Sequence, residues 1–164
     1  MENQNLIFRS SGFTLIELIA VIVIIIIAAM LAIPMFSSAA GMQVRAAADM
    51  IAADLEYAKS MAISRQKTYT VVFDEAAESY DIRDEGGIIS HPVTHGDYLV
   101  NFGADSRVDR VNIVDADFGS SEQVSFTYLG SPDPDNGGTV TLSADTETMT
   151  VTVEAVTGYV SISQ

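Results

Sequence analysis

Cysteine is absent from the 164 residues, so no disulfide holds this fold together, although the exported side of a membrane would permit one. Basic residues are scarce: 8 Lys and Arg stand against 22 Asp and Glu, for a net charge of −14. From Tyr69 onward only Arg83, Arg107 and Arg110 face seventeen acids. Such a surface repels nucleic-acid phosphates, whose binding needs clustered Lys and Arg. It favours solubility and suits divalent cations. Also missing are a G-x-S-x-G elbow, a phosphate-binding glycine loop and a dinucleotide fingerprint. Paired acids such as Asp115 and Asp117 read as solvated surface, and no enzymatic activity is expected.

Metal chemistry has little to build on. His91 and His95 flank Pro92, which blocks a helical i,i+4 face, and there is no thiolate to join them. They read as residues of an exposed loop. Asp133-Pro134-Asp135-Asn136-Gly137-Gly138 sets oxygen ligands near a sharp turn, as calcium loops do. It lacks the third acid and the distant glutamate of an EF-hand, so a polar turn is the simpler reading. Asp133, Asp135 and Asn136 are the calcium candidates, and no other cofactor is expected.

What the chain does have is a long apolar run. Leu18 to Met35 is eighteen residues without a charge, broken only by Pro34. At ~1.5 Å per residue a helix of that length covers about 27 Å, close to the hydrocarbon thickness of a bilayer. With no polar face, it would make a poor surface helix in water. Glu17 sits at its edge. An ionised carboxylate deep in a bilayer costs about 2.5–3.5 kcal/mol, less near an interface, so this acid calls for a partner. Two plainer readings are a secretory signal peptide, with Arg9 as basic flank and Ser38-Ala39-Ala40 as cleavage site, and a simple anchor with an incidental glutamate. The run is longer than a signal peptide's ~7–15 apolar residues. Arg9 before the run and acids after it place the amino terminus in the cytoplasm by the positive-inside bias.

Beyond the run, Val44, Ala48, Ile51, Leu55, Ala58 and Ala62 recur at spacings of three and four, a helical stripe ending near Ser64. Its alanines imply close approach to a sheet. Pro34, Ser37, Ser38 and Gly41 imply a kink or weakening between the two halves. From Lys67 the period becomes two. Strands are expected at 68–74, 79–83, 98–102, 111–114, 124–129, 139–143, 149–154 and 158–162, with a turn at Glu85-Gly86-Gly87 and a loop over 130–138. The fold class is α+β: a long amino-terminal helix, transmembrane then amphipathic, packed on an antiparallel β-domain of about seven or eight strands. The segments read as a leader (1–12), a membrane span (13–36), the amphipathic second half of the helix (37–66) and an antiparallel β-domain on the exported side (67–164).

The stretch GFTLIELI, its apolar continuation and Pro34 resemble the amino-terminal signature of type IV pilins and pseudopilins. The resemblance implies cleavage by a dedicated peptidase between Gly12 and Phe13, N-methylation of Phe13, and an assembly role for Glu17. Pro34 stands where the family usually has proline. Once cleaved, Phe13 carries a free amine at the bilayer edge, and a neighbouring subunit's Glu17 can pair with it. Pairing relieves two burials that are costly apart and sets the axial register of a filament. The body, RAAADMIAADLEYAKSMAISRQKTYTVVF and a closing VEAVTGYVSI, is similar to general secretion pathway protein H and the related fimbrial T minor pilins, with Lys59 where that group often has arginine. Many major pilins close a carboxy-terminal loop with a disulfide, which this chain cannot do.

The resemblance thus implies a minor pseudopilin of a type II secretion system. It would be anchored in the bacterial inner membrane with its domain in the periplasm, and would join other pseudopilins in a filament, near the tip. Its partners would be those subunits, the prepilin peptidase and methyltransferase, and the membrane, without nucleic acid. A minor type IV pilin acting in pilus initiation, adhesion or DNA uptake is the near alternative. A stand-alone anchored β-domain binding carbohydrate or cations is the alternative of another class.

Overall fold

The computed structural model describes residues 14–133 and 137–164, except for the side chains of residues 29–38. The chain divides into two units, Met1–Phe36 and Ser37–Gln164. One helix, α1 (Leu15–Arg65, 51 residues), contributes to both. Its helical backbone is unbroken through Pro34 and Gly41, where the sequence suggests weakening. The Pro34 side chain lies outside the described residues. Among the described residues no helix is long and apolar enough to cross a membrane. The expected span, 13–36, runs beyond that description at Phe13 and in the side chains of 29–36.

In the second unit α1 presents Ala40, Val44, Ala47, Ala48, Ile51, Leu55, Ala58 and Ala62 to the core, each at most 2% exposed. Every member of the expected stripe is therefore buried, joined by Ala40 and Ala47. Five of the eight are alanines, so the helix axis can lie close to the strands beneath it.

Among the described residues ten strands follow: β1 (Tyr69–Asp74), β2 (Ser79–Asp84), β3 (Gly87–Ile88), β4 (Leu99–Asn101), β5 (Asn112–Asp117), β6 (Gln123–Phe126), β7 (Pro132–Asp133), β8 (Gly138–Ala144), β9 (Glu147–Val153) and β10 (Val160–Ser163). They form two antiparallel sheets. One has the order β3-β2-β1-β6-β7, with β4 also on β2; the other runs β10-β9-β8-β5. The count exceeds the expected seven or eight because β3 and β7 are two-residue strands. One lies where the sequence reads as a turn, the other inside the expected loop 130–138. Expected strand 98–102 ends early, and Phe102–Ala104 forms a 3-10 turn instead. Alternation holds where a strand covers the core: Met149, Val151 and Val153 are buried, and the threonines between them are not. Helix and both sheets share one apolar core, with Tyr69, Phe73, Tyr80, Phe102 and Phe126 as its largest members.

β5 is an edge strand with a bulge between Ile113 and Asp115. Its free N–H groups are covered from the other sheet. In the β1–β2 turn Glu75 Oε1 accepts the Ala116 N–H at 2.8 Å, and Glu78 Oε2 accepts that of Ile113. The same turn accepts the Phe102 N–H on the Glu78 carbonyl at 3.0 Å. An edge that would otherwise be open to pairing is closed by two carboxylates.

Two changes test this arrangement by denaturant unfolding. Leu55→Ala removes a wholly buried side chain and is expected to cost about 2–5 kcal/mol. Glu78→Ala leaves the Ile113 N–H without its acceptor and is expected to cost about 1–3 kcal/mol, whereas Glu85→Ala on the exposed β2–β3 turn should change stability by less than about 0.5 kcal/mol.

Candidate functional site

The first described residues of α1 carry the candidate assembly group. Thr14 precedes the helix and Glu17 lies three residues on, a T-x-x-E spacing. The two exchange hydrogen bonds: the Glu17 N–H donates to Thr14 Oγ1 at 3.3 Å, and the Thr14 N–H donates to Glu17 Oε2 at 3.5 Å. This is a capping box, which satisfies two amide donors that a helix start leaves open. It also sets a negative charge where the helix dipole favours one. Glu17 therefore has a partner within its own chain. The lone charge in an apolar run draws the eye to a partner in another subunit; the T-x-x-E spacing is the signal for this nearer one. Gly12 and Phe13 lie outside the described residues.

After Glu17 the helix offers only apolar side chains up to Ile27. Leu15, Ile16, Leu18, Ile19 and Val21 through Ile27 are between 48% and 78% exposed in the isolated chain. They point all round the axis rather than to one face. Such a surface is stable only when lipid or other helices cover it.

In the second unit α1 is anchored by Gln43, whose side chain accepts the Arg110 N–H and donates to Asp109, both at 3.3 Å, and by Asp54 and Lys59. Asp54 accepts two phenols, Tyr80 from β2 at 2.6 Å and Tyr98 from the segment before β4 at 2.8 Å. Burial first, then the Asp54 charge, pushes the Tyr80 hydroxyl well above the usual phenol value. Tyr98 is raised for the same reasons: burial, then its hydrogen bond to Asp54. Tyr98 is stacked on Tyr57 at 5.5 Å between ring centroids and touches His91 at 4.5 Å. Lys59 Nζ donates to the Gly158 carbonyl at 2.9 Å and to Glu56 at 3.0 Å, tying the β9–β10 turn to the helix. Gly158 has φ +60°, and a Cβ there would lie 2.4 Å from the Gly130 carbonyl oxygen, so a side chain has no room.

The metal candidates are not brought together in what is described. Asp133 is exposed in β7, while Asp135 and Asn136 lie outside the described residues. Among the described residues no three His, Cys, Asp or Glu side chains are close enough to share an ion. His91 staples its own turn: Nδ1 accepts the N–H groups of Val93 at 3.1 Å and Thr94 at 3.2 Å.

A helix apolar all round at its start, then laid by an alanine-rich stripe on two antiparallel sheets, is the α+β architecture of pilin-like proteins. Residues 47–157 match the family of type II transport protein GspH, and the chain belongs to that family. Solved structures show the same fold. The type IV minor pilin FimU of Pseudomonas aeruginosa superposes with a TM-score of 0.55 at 18% identity, over 74% of this chain and 88% of that one. The minor pseudopilin EpsH from the type 2 secretion system of Vibrio cholerae gives 0.55 at 10% identity, over 74% and 96%. No curated protein matches the sequence.

The tyrosine pair makes stability depend on alkaline pH. A phenol whose folded pKa lies above its unfolded value, about 10, stabilises the fold fully below that pH and progressively less above it. The unfolding midpoint is expected to fall as pH rises past about 10, and Tyr80→Phe should flatten the fall. Asp54→Ala, which orphans both hydroxyls, is expected to cost about 2–4 kcal/mol at neutral pH.

Proposed function

We propose that the chain is a minor pseudopilin of a type II protein secretion system. In this reading it is held in the inner membrane with its acidic domain in the periplasm, is cleaved between Gly12 and Phe13, and joins a short filament near its tip. The observation that carries the reading is the family match over residues 47–157, set beside the GFTLIELI stretch that precedes it. The apolar surface of residues 18–27 supplies the driving force for entering the membrane, since each large aliphatic side chain fully removed from water is worth about 1.5–3 kcal/mol. In lipid that gain is already made, so the step into a filament depends on packing and on Glu17.

Glu17 then has two successive partners. Before assembly it caps its own helix with Thr14. In the filament its charge meets the amine freed on a neighbour's Phe13, a stronger partner than an amide N–H. The exchange gives register without leaving the carboxylate bare at either stage.

A minor type IV pilin is the second reading, and the likeness to FimU at the same TM-score as EpsH favours it. The acidic surface argues against direct capture of DNA in either case.

Intact-mass measurement of the protein from cells that hold the maturation enzyme is expected to show loss of residues 1–12 and one added methyl on Phe13. An unprocessed chain there would exclude both readings. Glu17→Ala is expected to leave membrane insertion intact and to cut recovery in sheared or cross-linked filaments about tenfold or more, the scale of a single charge-assisted hydrogen bond. Normal incorporation of this variant would remove the register role.

A further inference from the structure

The two edges of the second sheet are finished differently. On β5, Glu75 and Glu78 take up backbone donors. The opposite edge is β10, which pairs only with β9. The register shows which of its backbone groups are in use. The Glu154 N–H donates to the Tyr159 carbonyl at 2.8 Å, so by alternation Ser161 and Ser163 turn their N–H and C=O groups toward Thr152 and Thr150. Val160 and Ile162 turn theirs the other way, where among the described residues no strand lies and no backbone partner meets them.

Unpaired sheet edges are usually guarded by a lysine, a proline, a bulge or an inward charge. β10 has none of these. Its register with β9 is unbroken, and residues 155–164 hold no charged side chain and no proline, in a chain of net charge −14. Its side chains alternate as well. Val160 and Ile162 lie opposite Val153 and Val151 and pack against the core, whereas Ser161 and Ser163 lie opposite threonines on the other face. A strand that continues this sheet has to be uncharged, apolar on one side and small and polar on the other. β10 itself has that pattern.

We propose that β10 is a self-pairing edge, through which two copies of the chain join antiparallel about a two-fold axis and fuse their four-stranded sheets into one. The free backbone groups set the register. Val160 exchanges N–H and C=O bonds with Ile162 of the partner subunit, and Ile162 with Val160 of the partner subunit. The two Ser161 residues then face each other on the axis. The valine and isoleucine of each copy lie side by side on the core face, and no acid stands on the shared edge. The pairing is independent of the filament role, since every residue in it belongs to the second unit.

The test uses the full chain in detergent micelles and exploits its lack of cysteine. In the proposed register the two Ser161 Cα atoms lie about 4.5 Å apart, the spacing of a non-hydrogen-bonded pair and within reach of a disulfide. The two Ser163 Cα atoms, each displaced along its strand from the axis, lie roughly 14 Å apart and out of reach. Under mild oxidant Ser161→Cys is therefore expected to form a linked dimer about tenfold or more faster than Ser163→Cys. Ser161 lies on the face away from the core, so a charge there leaves the fold intact. Ser161→Lys and Ser161→Glu set like charges opposite each other. Each is expected to weaken dimerisation about fivefold in sedimentation equilibrium, and an equimolar mixture of the two to restore it. Restoration also shows that both variants fold. Cross-linking of Ser161→Cys no faster than of Ser163→Cys overturns the proposal and leaves the edge to a strand of a different protein. Dimerisation unchanged by either charge also overturns it, because association then runs through another surface.

Discussion

One helix in this protein has to satisfy two kinds of surroundings. Residues 18–27 are apolar on every side, while residues 40–62 are apolar along one stripe. A single regular backbone can do both because side-chain pattern, not backbone geometry, decides what a helix face will meet. The alanines of the stripe are part of the same solution. Small residues let a helix lie close on a sheet without bulky knobs to hold it away, so the large members of the core come mostly from the strands.

Apolar packing alone leaves such a helix able to slide, since alanine faces offer little to interlock. The polar bonds of α1 supply position. Asp54 engages tyrosines from two separate segments of the chain, and Lys59 reaches a backbone carbonyl in the last turn before β10. Each bond joins residues far apart in sequence, so each has an effect only once the fold is formed. The β1–β2 turn does the same between the sheets through Glu75 and Glu78. A chain without disulfides thus ties its layers together with carboxylates, which its composition supplies in excess.

Periodicity accounts for what is legible in the sequence. The stripe from Val44 to Ala62 is long enough for a 3.6-residue pattern to be unmistakable, and the alternation in 149–153 is equally plain. β3 and β7 escape because two residues carry no period at all. Phe102, which opens the 3-10 turn, reads as the end of strand 98–102 because a buried phenylalanine fits either. Asp54 lies off the stripe and reads as surface: nothing local in the sequence marks an acid whose partners lie 26 and 44 residues away. Glu17 stands out as one charge in an apolar run, and its prominence as an intermolecular candidate hides its local role with Thr14. The Tyr69 hydroxyl, buried without a hydrogen-bond partner among the described residues, is beyond sequence altogether, since an unfilled bond is a property of three-dimensional packing.

The first described side chain to enter the core is that of Ala40, just past the division between the two units at Phe36 and Ser37. None of the described aliphatic residues before it lends anything to the domain's interior. The fate of the greasy segment and the integrity of the folded body are therefore separate matters. On the described side chains, the folded body draws no part of its interior from residues 15–27.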